Sequence, residues 1–151
     1  MILVTVGTAM PFDELLAEVD RLIEAGVLDE PVVCQYGQST YRMAHAEQFM
    51  ASPSIADLIE SSSMVITHGG ATVIQLLLAK KNFVAFPNPR GAGDHQTGFL
   101  QEVSKVATLS WSSDVRDLAK LYAERRKLGP PVLASEIPRA SDVVGALLQD
   151  A

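Results

Sequence analysis

His68, Gly69 and Gly70 stand between a run of apolar residues and a segment with helical periodicity. Glycine lets the backbone turn sharply and lets a ligand approach the peptide amides. The next residues, Ala71 and Thr72, would open a helix, whose first amides have no acceptor within the helix. A helix N-terminus favours an anion by roughly 0.3–1 kcal/mol, and by up to about 2 kcal/mol when partly buried. The stretch therefore predicts an anion site with His68 and Thr72 as further donors, or a tight turn capped by its own histidine.

A second polar cluster ends the glycine- and proline-rich stretch that follows another apolar run. It consists of Asp94, His95 and Gln96. Asp94 is expected to be the N-cap of the next helix. His95 and Gln96 fall in the first helical turn, and their side chains are suited to bind the hydroxyl groups of a sugar or a similar polyol. Arg90, in the same loop, is either a solvated charge or a phosphate ligand.

Several common catalytic motifs are absent from the sequence. There is no G-x-G-x-x-G dinucleotide fingerprint, and there is no G-K pair of a phosphate-binding P-loop. The three histidines, His45, His68 and His95, lack the spacing of zinc ligands, and H-E-x-x-H does not occur. A serine nucleophile elbow, G-x-S-x-G, is also missing. With Cys34 as the single cysteine, neither an internal disulfide nor a cysteine-based metal site can form.

Short apolar runs and helical patterns alternate along the chain and would position these loops. Strands are predicted at residues 2–7, 31–37, 63–70 and 82–87, with a weaker one at 106–110. Helices are predicted at 11–26, 54–62, 71–81, 95–105 and 113–129, and near the end at about 141–149. We expect Ser54 and either Ser112 or Ser113 to be N-caps. The polar stretch 38–54 has no clear pattern.

The order of these elements indicates an α/β fold. Continuous apolar strands joined through helices are typical of a parallel sheet with helices on both faces. The sequence contains no internal repeat and no inter-domain linker, so we predict one open-sheet domain over residues 1–151. Ligands of such sheets bind beyond the carboxyl ends of the strands. The loops with His68 and His95 follow two of those ends.

Composition restricts the class of protein further. The 151 residues are 48% hydrophobic and 20% charged, which is ordinary for a globular protein that buries about 68–70% of its unfolded surface. A net charge of −6 and a pI near 4.9 argue against a nucleic-acid partner. We find neither a secretory signal pattern at the start nor 18 uninterrupted apolar residues, so a cytoplasmic protein is expected.

Four short motifs follow one another at the predicted strand ends: VTVGT with PFD close behind, QYGQSTY, VITHGG and GDHQ. In this order they resemble the donor-binding half of GT-B glycosyltransferases, a Rossmann-like domain, and specifically the family 28 C-terminal domain. Small stand-alone catalytic subunits are especially similar. These act in the dolichol-linked N-acetylglucosaminyltransferase and in bacterial glucosyl- or glucuronosyltransferases of exopolysaccharide synthesis. The likeness covers residues 1–105 by motif and the remainder by pattern.

The resemblance implies which residues hold the diphosphate of a UDP-sugar. Gly7 and Thr8 would lie near it, at the cleft between two lobes. His68, Gly69 and Gly70 would hold it at the helix N-terminus. His68 would act in catalysis, because negative charge grows on the leaving UDP as the glycosidic bond breaks, and fixed donors stabilise such charge.

The resemblance also implies the contacts of the transferred sugar and of the ribose. His95 and Gln96 would contact the sugar, with Asp94 beside them. Related enzymes often carry a carboxylate for the ribose hydroxyls one turn into the helix after the glycines. Here that position is Gln75, or Leu76 in another register, which leaves the choice of nucleotide less certain.

Reaction type and partners follow from the same resemblance. Enzymes of this kind invert the anomeric centre and typically need no metal, so we expect no cofactor, and the UDP-sugar is the donor substrate. The general base usually belongs to the other lobe, although Asp13 and His45 are candidates within this chain. A GT-B enzyme needs two lobes, and 151 residues allow one. We therefore expect a separate, membrane-attached subunit that supplies the acceptor lobe, presents a polyprenyl-linked sugar and recruits this chain to the membrane.

Two predictions each have an alternative: the packing partner of the terminal helix, and the function of the protein. The apolar stripe of that helix, residues 143, 144, 147 and 148, would contact the partner or pack on the chain's own sheet. The alternative function is a non-catalytic nucleotide-binding module that regulates a larger complex. Such a module would bind UDP and transfer no sugar. The identities of the sugar and of the acceptor stay open.

Overall fold

Five parallel strands form one sheet in the computed structural model of this protein, which describes residues 1–91 and 94–134. The strands are β1 (Ile2–Thr5), β2 (Val32–Gln35), β3 (Glu47–Phe49), β4 (Met64–His68) and β5 (Phe83–Phe86). Their order across the sheet is β3-β2-β1-β4-β5. Every neighbouring pair is parallel, as the continuous apolar runs predict.

Five helices of the described ranges cover the two faces of the sheet. They are α1 (Asp13–Glu24), α2 (Ile55–Ser61), α3 (Thr72–Leu78), α4 (His95–Ser104) and α5 (Leu118–Leu128). Side chains of α1 and α5 pack on one face, and side chains of α2, α3 and α4 pack on the other. No helix in these ranges is long and apolar enough to cross a membrane.

The packing of α1 shows why the sequence forms this layer. Leu15, Leu16, Val19 and Leu22 recur at helical spacing and are all buried against the sheet. Burying one such side chain fully contributes about 1.5–3 kcal/mol. The stripe therefore decides which side of α1 faces the sheet.

The secondary-structure prediction is wrong at two places. The unassigned stretch 38–54 contains β3, a three-residue edge strand whose first residue, Glu47, is exposed, so it has no apolar pattern to detect. The weak strand predicted at 106–110 is not a strand. Only isolated bridges occur there, from Ala107 to Leu133 and from Trp111 to Ala85.

The helix ends also differ from the prediction. Neither Ser112 nor Ser113 caps α5, because a 3-10 turn at Val115–Asp117 precedes that helix and Asp114 caps the turn. Ser54 occupies the N-cap position of α2, but its side chain makes no capping bond. The predicted helix near 141–149 lies outside the described residues.

Arg125 on α5 binds the segment at residues 108–110, where a strand was predicted. Its side chain is 2% exposed, and the guanidinium donates to the Ser110 hydroxyl and to the carbonyls of Thr108 and Gly129. The Thr108 carbonyl therefore bonds to a side chain instead of a neighbouring strand. These bonds fasten the end of α5 to the segment beside β5.

We expect Arg125→Met to lower the free energy of unfolding by about 2–4 kcal/mol, because each buried acceptor left without a partner costs about 1–3 kcal/mol. Urea denaturation of both proteins measures the difference. Arg126→Met is the matched control. Arg126 is the next residue, and its ion pair with Asp29 is exposed, so a loss below about 1 kcal/mol is expected. Equal losses in the two variants would contradict the role of Arg125.

Candidate functional site

We refer to the space beyond the carboxyl ends of the neighbouring strands β1 and β4 as the crevice. The loop after β1 leads to α1 on one face, and the loop after β4 leads to α3 on the other face. Open α/β sheets bind ligands where neighbouring loops diverge in this way. Gly7 follows β1, and His68 is the last residue of β4. Two of the predicted site groups therefore meet at this crevice.

The imidazole of His68 lies between the backbones of Gly7 and Gly70. A methyl group built on Gly7 would be 3.0 Å from the ring atoms Cε1 and Nε2. A methyl group built on Gly70 would overlap Nε2. The ring thus occupies the space that side chains at both positions would need, and the two glycines allow it to lie in the crevice.

The electrostatic state of His68 follows from its surroundings. Burial lowers the pKa of the ring, and the nearby backbone of Thr5, which forms no well-aligned hydrogen bond with it, partly opposes that shift. The ring is therefore neutral near pH 7, with one nitrogen as a donor and the other as an acceptor. The Nδ1 atom is buried and has no hydrogen-bond partner within residues 1–91 and 94–134. Unpaired buried polar atoms cost about 1–3 kcal/mol and are uncommon in folded proteins.

Free backbone donors lie beside the ring. In the described part of the chain, the N–H groups of Gly70, Ala71 and Thr72 donate to no acceptor. The His68 ring does not cap them, so the turn is not one closed by its own histidine. Three adjacent amides and an imidazole can together bind an anion with several acceptor oxygens, such as a phosphate or diphosphate.

We expect the pKa of His68 to lie below the ordinary histidine value of 6.5 and to rise when UDP binds. Because the folded state favours the neutral ring, its contribution to stability is complete above pH 6.5 and decreases as the pH falls through the lowered pKa. A nearby diphosphate favours the charged ring and raises the pKa. An NMR titration of the ring signals, with and without UDP, measures both effects. A pKa of His68 that UDP leaves unchanged would argue against a phosphate beside the ring.

Gln96 connects the loop after β4 with the loop after β5. Its Oε1 accepts hydrogen bonds from the amides of Gly69, at 3.1 Å, and Asn88, at 2.8 Å. The structure therefore places Gln96 next to the His68 loop, and its contact with a sugar stays a prediction. Both bonds occupy the oxygen within the protein, so only the Nε2 group is left to donate to a ligand.

Asp94 and His95 are exposed at the start of α4. Asp94 stands at the N-cap position but makes no capping bond, so the expected cap is wrong. The reason is its left-handed backbone, with φ of 57°, whereas a capping residue normally adopts the β region. No side-chain hydrogen bond of Asp94 or His95 occurs within the described ranges, which leaves both side chains accessible to a ligand.

The sequence matches the model of the glycosyltransferase family 28 C-terminal domain over residues 1–127. The chain belongs to this family. No curated protein matches the sequence of this family 28 domain. The predicted fold, an open Rossmann-like parallel sheet with helices on both faces, is confirmed.

Two solved structures are similar to the family 28 domain. The glycotransferase of kitacinnamycin matches with a TM-score of 0.54 and 15% identity, over 98% of this chain and 38% of that one. MurG of Acinetobacter baumannii matches with a TM-score of 0.56 and 16% identity, over 97% of this chain and 49% of that one. At these identities the likeness shows the fold. The domain spans less than half the length of either protein.

Gln75 lies apart from the His68 group of the family 28 domain. It is exposed on α3 and lines a groove of about 660 Å³ between α2 and α3, together with Ala56, Glu60 and Leu78. The structure thus does not bring Gln75 together with His68, Gly7 and Gly70. A ribose contact at Gln75 stays a prediction.

The candidate bases within the chain are both committed elsewhere. The carboxylate of Asp13 accepts hydrogen bonds from the Tyr41 amide and from the amide and hydroxyl of Thr40, and these bonds lower its pKa. His45 precedes β3, at the opposite end of the sheet from the crevice, and its Nδ1 is 3.0 Å from Asp20. His45 is therefore remote from the crevice, and the Asp13 carboxylate is held by the loop after β2.

Arg90 forms an ion pair with Glu14 at 3.1 Å, and about half of each side chain is exposed. Of the two interpretations of Arg90, the solvated charge describes this arrangement. The guanidinium of Arg90 contacts Glu14. Within the described residues, no contact directs it toward the crevice as a phosphate ligand. Exposed pairs of this kind contribute at most about 1 kcal/mol.

Sequence reasoning missed two residues that shape the site. Gly37, directly after β2, packs so closely on the Gly7 carbonyl that a methyl group would overlap it. The available signal was a glycine at a strand end within QYGQST. Asn88 is 3% exposed in the loop after β5 and bonds to that loop and to the loop after β1. No pattern in the sequence distinguishes it from an ordinary turn residue.

Proposed function

We propose that this domain is the donor-binding half of an inverting UDP-sugar glycosyltransferase. The observation that carries the proposal is the His68 ring between Gly7 and Gly70, with the unpaired amides of residues 70–72 beside it. A diphosphate supplies the charge and the acceptor oxygens that such donors bind. Membership of glycosyltransferase family 28 supports sugar transfer as the reaction.

In the proposed mechanism, the UDP leaving group is bound in this crevice. The bond from the anomeric carbon to the diphosphate oxygen breaks while an acceptor hydroxyl attacks the opposite face, so the anomeric centre inverts. The bonding electrons leave with UDP, and the fixed N–H groups and His68 stabilise the charge that grows there. The proposal assigns this task to protein donors, with no metal or cofactor. The acceptor proton goes to a general base outside this domain, since hydrogen bonds to Thr40 and Tyr41 lower the pKa of Asp13 and His45 is bound to Asp20 at the other end of the sheet.

We further propose that the acceptor lobe lies outside residues 1–151, in a membrane-attached subunit that presents a polyprenyl-linked sugar. The coverage supports a second lobe, because the domain spans 38% and 49% of its two structural neighbours. Recruitment to the membrane would then occur through that partner. The resemblance to stand-alone subunits supports a separate chain.

Calorimetric titration with UDP, ADP and NAD tests the proposal. We expect UDP to bind and the other two to bind more weakly, because the family uses uridine donors. The same titration is then repeated on the complex with its acceptor subunit, where a UDP-sugar should also be consumed. If UDP binds neither the domain nor the complex, the proposal is overturned. UDP binding without transfer in the complex would instead identify a regulatory nucleotide-binding module.

A further inference from the structure

We infer that Asn88 is a positioning residue, which holds the loop after β1 and the loop after β4 in fixed relation across the crevice. It does so through its own bonds and through Gln96. That these loops position donors for a diphosphate rests on the proposed function. The hydrogen bonds that hold the loops are features of the structure and do not depend on that function.

Every polar group of Asn88 is used within the protein. The side-chain Nδ2 donates to the Pro11 carbonyl at 2.9 Å, and Oδ1 accepts from the Arg90 amide at 3.0 Å. The backbone amide donates to Gln96, and the backbone carbonyl accepts from Gly91 at 3.1 Å. Since Asn88 is also only 3% exposed, a ligand has little access to it, and it acts through its neighbours.

Gln96 transmits the position of Asn88 to the His68 loop. One oxygen of Gln96 holds the Asn88 amide and the Gly69 amide together. Gly69 is also confined by α4, because a methyl group on it would be 2.9 Å from Leu100 Cδ1 and 3.2 Å from Gln96 Cβ. Gly69 joins His68 to Gly70, so its position sets both the ring and the first free amide.

The other end of the connection is also fixed. Pro11, which accepts from Asn88, precedes Phe12, whose amide donates to the Ser39 hydroxyl at 2.9 Å. The loop that contains Gly7 is therefore anchored on one side to the loop after β2 and on the other side to Asn88. Catalytic donors must be held within about 0.5 Å of their productive positions. The series of hydrogen bonds through Asn88 and Gln96 is suited to that requirement.

Asn88→Asp tests the inference, because it keeps the shape and the Oδ1 acceptor but removes the donor to Pro11. Hydrogen exchange of the Gly69 amide is measured by NMR relative to the Ile66 amide, in the middle of β4. We expect Gly69 to exchange at least about tenfold faster in the variant. Asn82→Asp, the same change at the start of β5 and the far end of the sheet, is the control and should leave the ratio unchanged. A lower Tm with an unchanged ratio in Asn88→Asp would overturn the inference.

Two substitutions of Gln96 separate positioning from ligand contact. Gln96→Glu keeps an acceptor oxygen and loses the Nε2 donor, so it should preserve the protection of the Gly69 amide. Gln96→Leu removes the acceptor and should lose that protection as Asn88→Asp does. Equal loss in both Gln96 variants would contradict the transmission through the oxygen.

A UDP titration of Asn88→Asp completes the test, with about tenfold to a hundredfold weaker binding expected if the donors shift. Unchanged UDP affinity despite faster exchange would overturn the link to the ligand. If the unchanged protein does not bind UDP at all, the proposed function fails while the exchange result still decides the role of Asn88.

Discussion

Replacing His68 by alanine is expected to reduce sugar transfer by about 10²–10³-fold, which corresponds to about 2.7–4 kcal/mol of lost transition-state stabilisation. The ring lies between Gly7 and Gly70 beside three unpaired amides, so its loss removes a fixed donor from the place where charge would develop. Initial rates with a set of UDP-sugars, measured on the domain together with its acceptor subunit, give the effect. Calorimetry of the same variant shows how much of it is already present in UDP binding.

His45→Ala is the matched control for that experiment. His45 lies at the opposite end of the sheet, where Asp20 holds its ring. We expect rates within about twofold of the unchanged protein, as for other substitutions away from a site. Equal losses in the two variants would mean that the effect is one of stability, and circular dichroism of each variant checks that they are folded.

Gly37→Ala is expected to lower the free energy of unfolding by about 2–5 kcal/mol. Gly37 has φ of +55°, which costs an L-residue roughly 1–2 kcal/mol. The added methyl group would also overlap the Gly7 carbonyl oxygen, and overpacking of this kind costs typically about 1–3 kcal/mol. The overlap involves backbone on both sides, so no side chain can rotate to relieve it. Urea denaturation measures the loss.

Gly26→Ala separates the two contributions. Gly26 has φ of +70°, but nothing lies within 4 Å of the position that a methyl group would take. We therefore expect only the conformational cost, about 1–2 kcal/mol. The difference between the variants is the cost of the close approach between the loops after β1 and β2. A similar loss at both positions would show that the two loops can move apart.

The fold was predictable from the sequence where burial is periodic. Two patterns in the sequence correspond directly to burial in the structure. They are the apolar stripe of α1, from Leu15 to Leu22, and the apolar runs of β1, β4 and β5. The edge strand β3 was not predictable, because its exposed Glu47 and its three-residue length leave no such pattern. Asp94 failed as a cap for a different reason. Its backbone conformation is set by the loop before it, and residue type alone does not reveal that conformation.

The centre of the site follows from the sequence, whereas its supports do not. His68 and Gly7 end adjacent parallel strands, so their proximity is a consequence of the fold class. The bond from Asn88 to Pro11 joins residues 77 positions apart, and the bond from Gln96 to Gly69 joins residues 27 apart. Nothing local in the chain indicates either pairing. Sequence motifs therefore located His68 and Gly7 at the ends of neighbouring strands, and the structure was needed to find the residues that hold their loops.

The central place of β1 in the sheet has a consequence for how the chain folds. Ile2 pairs with Val32 on one side and with Met64 on the other, so neither edge of β1 can be satisfied by a hairpin. During synthesis β1 is made before both of its neighbours, and its second edge stays open until β4 has left the ribosome. An apolar strand with an open edge is a template for pairing with other chains. Folding dominated by such distant contacts is slow, so the nascent chain is most prone to aggregation before residue 68 emerges.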